Sequence, residues 1–181
     1  VALQAFAVCS DPKVSKVNLD NSNEDISSVD LPLPATTNPD LLHAKLTTSP
    51  GERMRVVFAT YQSIDVVAKA QAMGGVDPFD LIVCDEAHRT TGVTLAGEDE
   101  SAFVRVHDPN YILGKRRLYM TATPAIYDDN TKAKAGEANA VLASMDDEEK
   151  FGPEFHRLGF GEAVSKGLLT DYKVLVLGIN E

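Results

Sequence analysis

Four apolar residues, Leu81-Ile82-Val83-Cys84, run without a break into two adjacent carboxylates, Asp85 and Glu86, and this junction constrains the fold more than any other part of the chain. An uninterrupted apolar run of that length reads as a strand buried on both faces, the situation of a strand inside a parallel sheet. Ligands in open α/β sheets bind beyond the carboxyl ends of such strands. The two acids therefore fall where a ligand would sit, and their chemistry suits a magnesium-bound nucleotide.

A second short apolar strand, Arg117-Leu118-Tyr119-Met120, ends in Thr121-Ala122-Thr123 and is stopped by Pro124, which cannot continue a sheet. The string Asp85-Glu86-Ala87-His88, followed 36 residues after its Asp by Thr-Ala-Thr, resembles motifs II and III of the superfamily 2 helicases and translocases. Either string alone is weak. The ordered pair, each at the end of the right kind of strand, is strong.

The rest of the chain reads as an α/β unit. Ala5 to Ser10 is a strand candidate, and residues 11–38 are polar, acidic and without periodicity, a long loop or insertion. Asn38-Pro39-Asp40 supplies a cap, a first-turn proline and a first-turn acid for a short helix over Leu41 to Leu46. A buried strand over Arg55 to Thr60 precedes a helix from about Ile64 to Met73, ended by Gly74-Gly75. This βαβ rhythm predicts a parallel sheet. Residues 89–115 read as loop with a short helix near Ser101 to Val106. Lys132 to Met145 reads as a helix, a further helix ends at Gly167, and Tyr172 to Leu177 reads as a last strand. Asp146 to Glu149 read as a solvated helix end. Without an internal repeat or a domain-length linker, four or five strands are expected in one sheet of one domain, 1–181.

At 181 residues and 44% apolar, the chain can bury a core without staples. Cys9 and Cys84, 75 positions apart, read as reduced thiols of a cytoplasmic protein. No apolar run approaches the ~20 residues that cross a bilayer, and nothing reads as a targeting signal. The net charge of −10 opposes DNA affinity, which comes mainly from Lys and Arg displacing counterions. Basic groups remain at Arg53 and Arg55 and at Lys115-Arg116-Arg117.

Magnesium-nucleotide chemistry needs a phosphate cradle with a lysine, and an acid that holds the metal while a neighbour orients water. Only the second part is present. Gly-x-x-x-x-Gly-Lys-Ser/Thr occurs nowhere, and the nearest candidate, Gly114-Lys115, has Pro109 where the first glycine would stand. The chain by itself is expected neither to bind ATP tightly nor to hydrolyse it. His43, His107 and His156 lack partners at zinc-ligand spacing, and no Gly-x-Ser-x-Gly elbow is present.

The resemblance to the helicases implies that Asp85 binds magnesium, mostly through water, and that Glu86 polarises the attacking water as general base. It implies that His88 contacts a neighbouring motif or a second motor domain, and that Thr121 and Thr123 couple the nucleotide site to the nucleic-acid track. Thr60-Tyr61-Gln62-Ser63 matches a Thr-Tyr-x-Ser pattern near motif Ib, which would place Thr60, Tyr61 and Ser63 against a phosphate of the tracked strand. A plain helix cap by Ser63 or Thr60 is nearly as good a reading, and the acids could cap a turn.

Reading outward, the match narrows. Residues 6–11, 84–92, 97–101, 119–124 and 152–163 resemble the helicase portion of Type ISP single-polypeptide restriction-modification enzymes, over nearly the whole chain. The fold so implied is a partial RecA-like domain of the P-loop NTPase type, a mainly parallel sheet flanked by helices and missing the phosphate-loop strand. The function implied is ATP-driven translocation along double-stranded DNA, with ATP and Mg2+ as cofactors of the full-length parent. The partners implied are a second RecA-like domain and nuclease and methyltransferase domains of the same polypeptide. Loss of the phosphate-loop strand is expected to leave a gap or an open edge, so that the fragment is destabilised, self-associates or has the vacancy filled. Two other classes compete: a non-catalytic interaction or regulatory module that keeps the motor fold, and a metal-dependent nuclease using Asp85 and Glu86 directly, for which further acid and lysine groups are missing.

Overall fold

Strands β1, Leu3–Val8, and β2, Met54–Ala59, pair in parallel over their whole length, from Leu3 opposite Met54 to Val8 opposite Ala59. The chain returns between them through helix α1, Pro39–Thr47. The structure, a computed structural model, describes residues 2–9, 35–49, 51–94, 102–138, 140–171 and 173. The polar insertion expected over 11–38 lies outside the described residues as far as 34, and so does all but Lys173 of the strand expected at Tyr172 to Leu177.

The start of α1 follows from its sequence. The Asn38 side chain accepts from the amides of Asp40 and Leu41 at 2.8 and 3.3 Å, Pro39 occupies the first turn where its missing N–H costs nothing, and Asp40 faces the positive end of the helix. Leu42 and Leu46, four residues apart, share one face and are both buried. They meet helix α2, Ile64–Ala72, whose Ile64, Val67, Ala68 and Ala70 join the same core. Phe6 and Val8 of β1, Cys84 and Ala87 complete it together with Val106 and Ile112.

Strand β3, Ile82–Cys84, and β5, Arg117–Tyr119, form a second parallel pair, with Ile82 opposite Arg117 and Cys84 opposite Tyr119. A bridge from Phe79 to Gly114 extends it. There a Cβ on Gly114 would lie 2.4 Å from the end of the Ile82 side chain, so a larger residue would require that side chain to shift. The buried Gln71 imitates a strand edge: its amide nitrogen donates to the Leu113 carbonyl and its oxygen accepts from the Leu113 amide, both at 2.9 Å, which pins the approach to β5 onto α2.

The third pair corrects the sequence reading. Residues 89–115 contain strand β4, Gly92–Thr94, and the helix expected over Lys132 to Met145 stops early: α3 covers Asp129–Glu137, and Val141–Ala143 is strand β6, antiparallel to β4. Good helix formers continue past α3, but Val141 and Leu142 gain a partner strand there, and tertiary pairing overrides local propensity. The short helix near Ser101 to Val106 is a 3-10 turn, Val104–His107. The single sheet also fails: the described strands form three two-stranded sheets, and no hydrogen-bonded ladder joins β1 to β3. Each pair therefore keeps edges within the described residues. Met54, Phe58 and Val83 stand about half exposed (55, 53 and 51%), although Val57 and Cys84 beside them pack into the core.

The chain separates into two compact units, Val1–Phe151 and Gly152–Glu181. The first ends in α4, Glu148–Phe151, at whose start Asp147 accepts from the Glu149 amide. In the second, α5, Phe160–Ser165, ends with Gly167 at φ +67° and Leu168 N–H bonded back to Ala163, a glycine-terminated Schellman stop. Among the described residues no helix is long and apolar enough to cross a membrane.

Candidate functional site

Because β3 and β5 run in parallel, their carboxyl ends emerge on the same edge, and the residues after each strand meet there. The Met120 amide donates to the Cys84 carbonyl and the Ala87 amide to the Met120 carbonyl, both at 2.9 Å, so the two exits are laced together beyond the last ladder pair. Asp85 and Glu86 leave β3 at this point and Thr121 and Thr123 leave β5. His88, in the 3-10 turn Ala87–Thr90, lies between them: its Nδ1 is 2.9 Å from the Thr121 hydroxyl, 3.3 Å from that of Thr123 and 3.4 Å from a Glu86 carboxylate oxygen. The Thr121 hydroxyl also accepts from the Thr123 amide at 3.1 Å. Glu86, His88, Thr121 and Thr123 thus form one contact group, and Asp85 is bonded to the Glu86 backbone.

The turn between the acids is unusual in its backbone. Glu86 has φ 50° and ψ 44°, the only positive φ outside glycine among the described residues. A left-handed conformation costs an ordinary residue about 1–2 kcal/mol, and such residues gather at functional sites. Here it turns the chain sharply after β3, so that successive carboxylates face solvent; both acids are exposed. The Asp85 carboxylate accepts from the Glu86 amide at 2.9 Å, closing the turn.

Of the Thr-Tyr-x-Ser segment, Thr60 is exposed at the end of β2 and donates its hydroxyl to that of Ser63 at 3.1 Å. Ser63 is buried (3% exposed), and neither residue caps α2 through its side chain, which removes the simple cap reading. Tyr61 reaches across to the acidic turn and donates to the Asp85 carbonyl at 2.8 Å.

Sequence reasoning missed the aromatic wall behind the site. Tyr119, the last residue of β5, and His107 are in contact, with Nδ1 2.9 Å from the phenol oxygen, while His107 Nε2 lies 3.0 Å from the Thr90 carbonyl and Phe151 meets both rings edge-on. A tyrosine in an apolar strand was the available signal, since its hydroxyl needs a partner when buried. Burial pushes the Tyr119 phenol up to about 12 and the Cys84 thiol up to about 11, the latter opposed by the nearby Arg117 charge. Burial, with Cys84 beside it, also raises Tyr61 well above the ordinary phenol range.

The basic groups available for a polyanion shrink in the structure. Arg55 donates to the carbonyls of Leu46 and Thr48. Arg117 donates to those of Val106 and Ile112, and Lys115 pairs with Asp80 at 2.7 Å. Gly114-Lys115 is thus a strand bridge and a surface ion pair.

Strands that end in an acidic pair and a threonine pair on one edge, backed by helices, define part of a RecA-like, helicase-type motor domain. The chain belongs to the family described as "Type III restriction enzyme, res subunit", which matches residues 11–126. It is 31% identical over 139 residues to the "Probable helicase A859L" of two African swine fever virus isolates, Pretoriuskop Pr4/1996 and Badajoz 1971 Vero-adapted, a match covering 77% of this chain and 13% of theirs. Among solved structures it is similar to a nuclease-deletion mutant of the Type ISP restriction-modification enzyme LlaGI in complex with a DNA substrate mimic, at 40% identity and TM-score 0.65, over 95% of this chain and 12% of that one. The ATP-dependent Type ISP enzyme LlaBIII bound to DNA matches at 41% and 0.65, over 94% and 11%. The chain therefore spans about an eighth of the proteins it matches.

Proposed function

We propose that this chain is part of an ATP-driven duplex-DNA translocase, contributing the acids that hold magnesium and activate water. The observation that carries the reading is the convergence of Asp85, Glu86, His88, Thr121 and Thr123 on one strand edge, with His88 2.9 Å from Thr121. The identity of about 40% to two Type ISP enzymes solved with DNA supports it.

The acidic turn fits magnesium in its chemistry. Hard carboxylate oxygens are exposed there, which suits an ion held by one or two carboxylates together with water and nucleotide phosphates. When bound, magnesium would offset the charge on the phosphate oxygens. Asp85 would hold it, largely through water, and Glu86 would take the proton of the attacking water. His88 would orient Glu86 and relay its state to Thr121 and Thr123, while Thr60, its hydroxyl aligned by Ser63, would contact a DNA phosphate. The cradle for ATP and the residues completing the site would come from a phosphate loop and a second RecA-like domain outside these 181 residues. Nuclease and methyltransferase domains in the same cytoplasmic polypeptide complete the proposal; neither Cys9 nor Cys84 is in a disulfide, which agrees with a reducing compartment.

The test uses the natural full-length polypeptide and a linear duplex carrying a triplex-forming third strand away from its binding site. Release of that strand on adding magnesium and ATP, and its absence without ATP, is the expected result. DNA cleavage or binding with no ATP-dependent release would refute translocation.

A further inference from the structure

The two acids hang on either side of a single peptide unit, the Asp85–Glu86 bond, so the plane of that peptide sets the direction of both carboxylates. Both polar ends of this peptide are held. Its N–H, on Glu86, donates to the Asp85 carboxylate at 2.9 Å, and its carbonyl, on Asp85, accepts the Tyr61 hydroxyl at 2.8 Å. The first bond is local and travels with the turn. The second comes from a residue 24 positions earlier, at the end of a different strand, and ties the turn to the rest of the fold.

From this geometry we propose that Tyr61 is a positioning residue: its hydroxyl fixes the Asp85–Glu86 peptide, and so aims the metal-holding and water-activating carboxylates, rather than contacting DNA. The proposal rests on the motor reading above.

Two further observations bear on it. The Tyr61 ring is itself held, its centroid 5.4 Å from that of Phe103, and the Arg89 guanidinium lies over the other partner of that pair, 5.0 Å from the Phe103 centroid. Arg89 follows His88 directly, so the clamp that aims Tyr61 is anchored in the same acidic segment that Tyr61 holds. Second, Glu86 sits in the left-handed region, a conformation that persists only where surrounding contacts over-determine it, and the Tyr61 bond is such a contact. Because Thr60 is next in sequence, the segment proposed to meet a phosphate and the peptide carrying the acids share one rigid connection.

The experiment is steady-state ATP hydrolysis by the natural full-length polypeptide with duplex DNA, comparing wild type with Tyr61→Phe, which keeps the ring and deletes only the hydroxyl. Wild type must first hydrolyse ATP with stimulation by DNA; if it does not, the motor reading falls and this proposal with it. With an active wild type, Tyr61→Phe is expected to lower kcat about 3- to 10-fold, the scale of one hydrogen bond. It should also raise the Mg2+ concentration for half-maximal rate, while KM for ATP and Kd for duplex DNA stay within about twofold. A merely structural loss would not move the magnesium requirement at unchanged DNA affinity. An unchanged kcat overturns the proposal while leaving the motor reading intact. So does a rise in Kd for DNA with unchanged kcat at saturating DNA, which would make Tyr61 a DNA contact. Should Tyr61→Phe fold poorly, Phe103→Leu carries the same test: it keeps the hydroxyl, loosens the ring that aims it, and is expected to lower kcat with Kd for DNA unchanged. A wild-type kcat there overturns the proposal.

Discussion

Glycine is normally a poor exchange for another residue, because the unfolded chain gains freedom; at Glu86 the balance should reverse. The comparison is Glu86→Gly against Glu86→Ala. Both variants lose the same side chain, which is 60% exposed, and the same 3.4 Å contact with His88, so those effects cancel. What differs is the backbone. At φ 50° and ψ 44° alanine keeps a left-handed penalty of about 1–2 kcal/mol, which glycine does not feel. Glycine in turn loses about 0.4–1 kcal/mol through the entropy of its unfolded chain. The difference leaves Glu86→Gly the more stable of the two by about 1 kcal/mol. In urea denaturation, with a slope of roughly 1–3 kcal/mol per molar, this is a midpoint higher by about 0.3–1 M at equal slope. An alanine variant as stable as the glycine variant, or more so, would refute the claim that the acidic turn stores backbone strain.

Two further outcomes follow from the site. Cys84 is 2% exposed with its thiol raised to about 11, so the folded protein should resist thiol reagents at pH 8 at this position and react only on unfolding. Because the folded state holds that proton more tightly than the unfolded chain, stability from this group is present below the ordinary thiol pKa and is lost between about pH 9 and pH 11; urea midpoints measured across that window should fall, and a flat profile would contradict the burial. Thr121→Val deletes the hydroxyl that meets His88 and accepts from Thr123, and at about 0.5–1.5 kcal/mol per bond it should cost about 1–2 kcal/mol in a urea melt; no loss would mean that these contacts contribute nothing to the fold.

Much of this arrangement was legible in the chain because it is written locally. Apolar runs ending in Asp85-Glu86 and in Thr121-Ala122-Thr123 specify both strand exits, and Asn38-Pro39-Asp40 specifies the start of α1, since caps act over a few residues. What failed depends on partners far away in sequence. Val141–Ala143 lies beyond a run of helix formers and becomes a strand only because Gly92–Thr94 pairs with it. Among the described residues the expected single sheet resolves into three pairs, because ladder bonds between distant strands have no local signature. Arg55 and Arg117 look available to a polyanion in the sequence, yet both are drawn onto backbone carbonyls. The left-handed Glu86 and the bond from Tyr61 to Asp85 could not be read either: one contradicts the preference of its residue type, and the other joins the ends of two strands that only the fold brings side by side.

The proposed role of this strand edge is to aim Asp85 and Glu86 at a magnesium-bound nucleotide. Its most direct test is ATP hydrolysis by the natural full-length polypeptide on duplex DNA, wild type against Glu86→Gln, which preserves shape and removes the base. The rate should fall on the order of 10²- to 10⁴-fold, the scale of general-base catalysis, while magnesium-ATP still binds. A Glu86→Gln variant that turns over ATP at the wild-type rate would contradict the account.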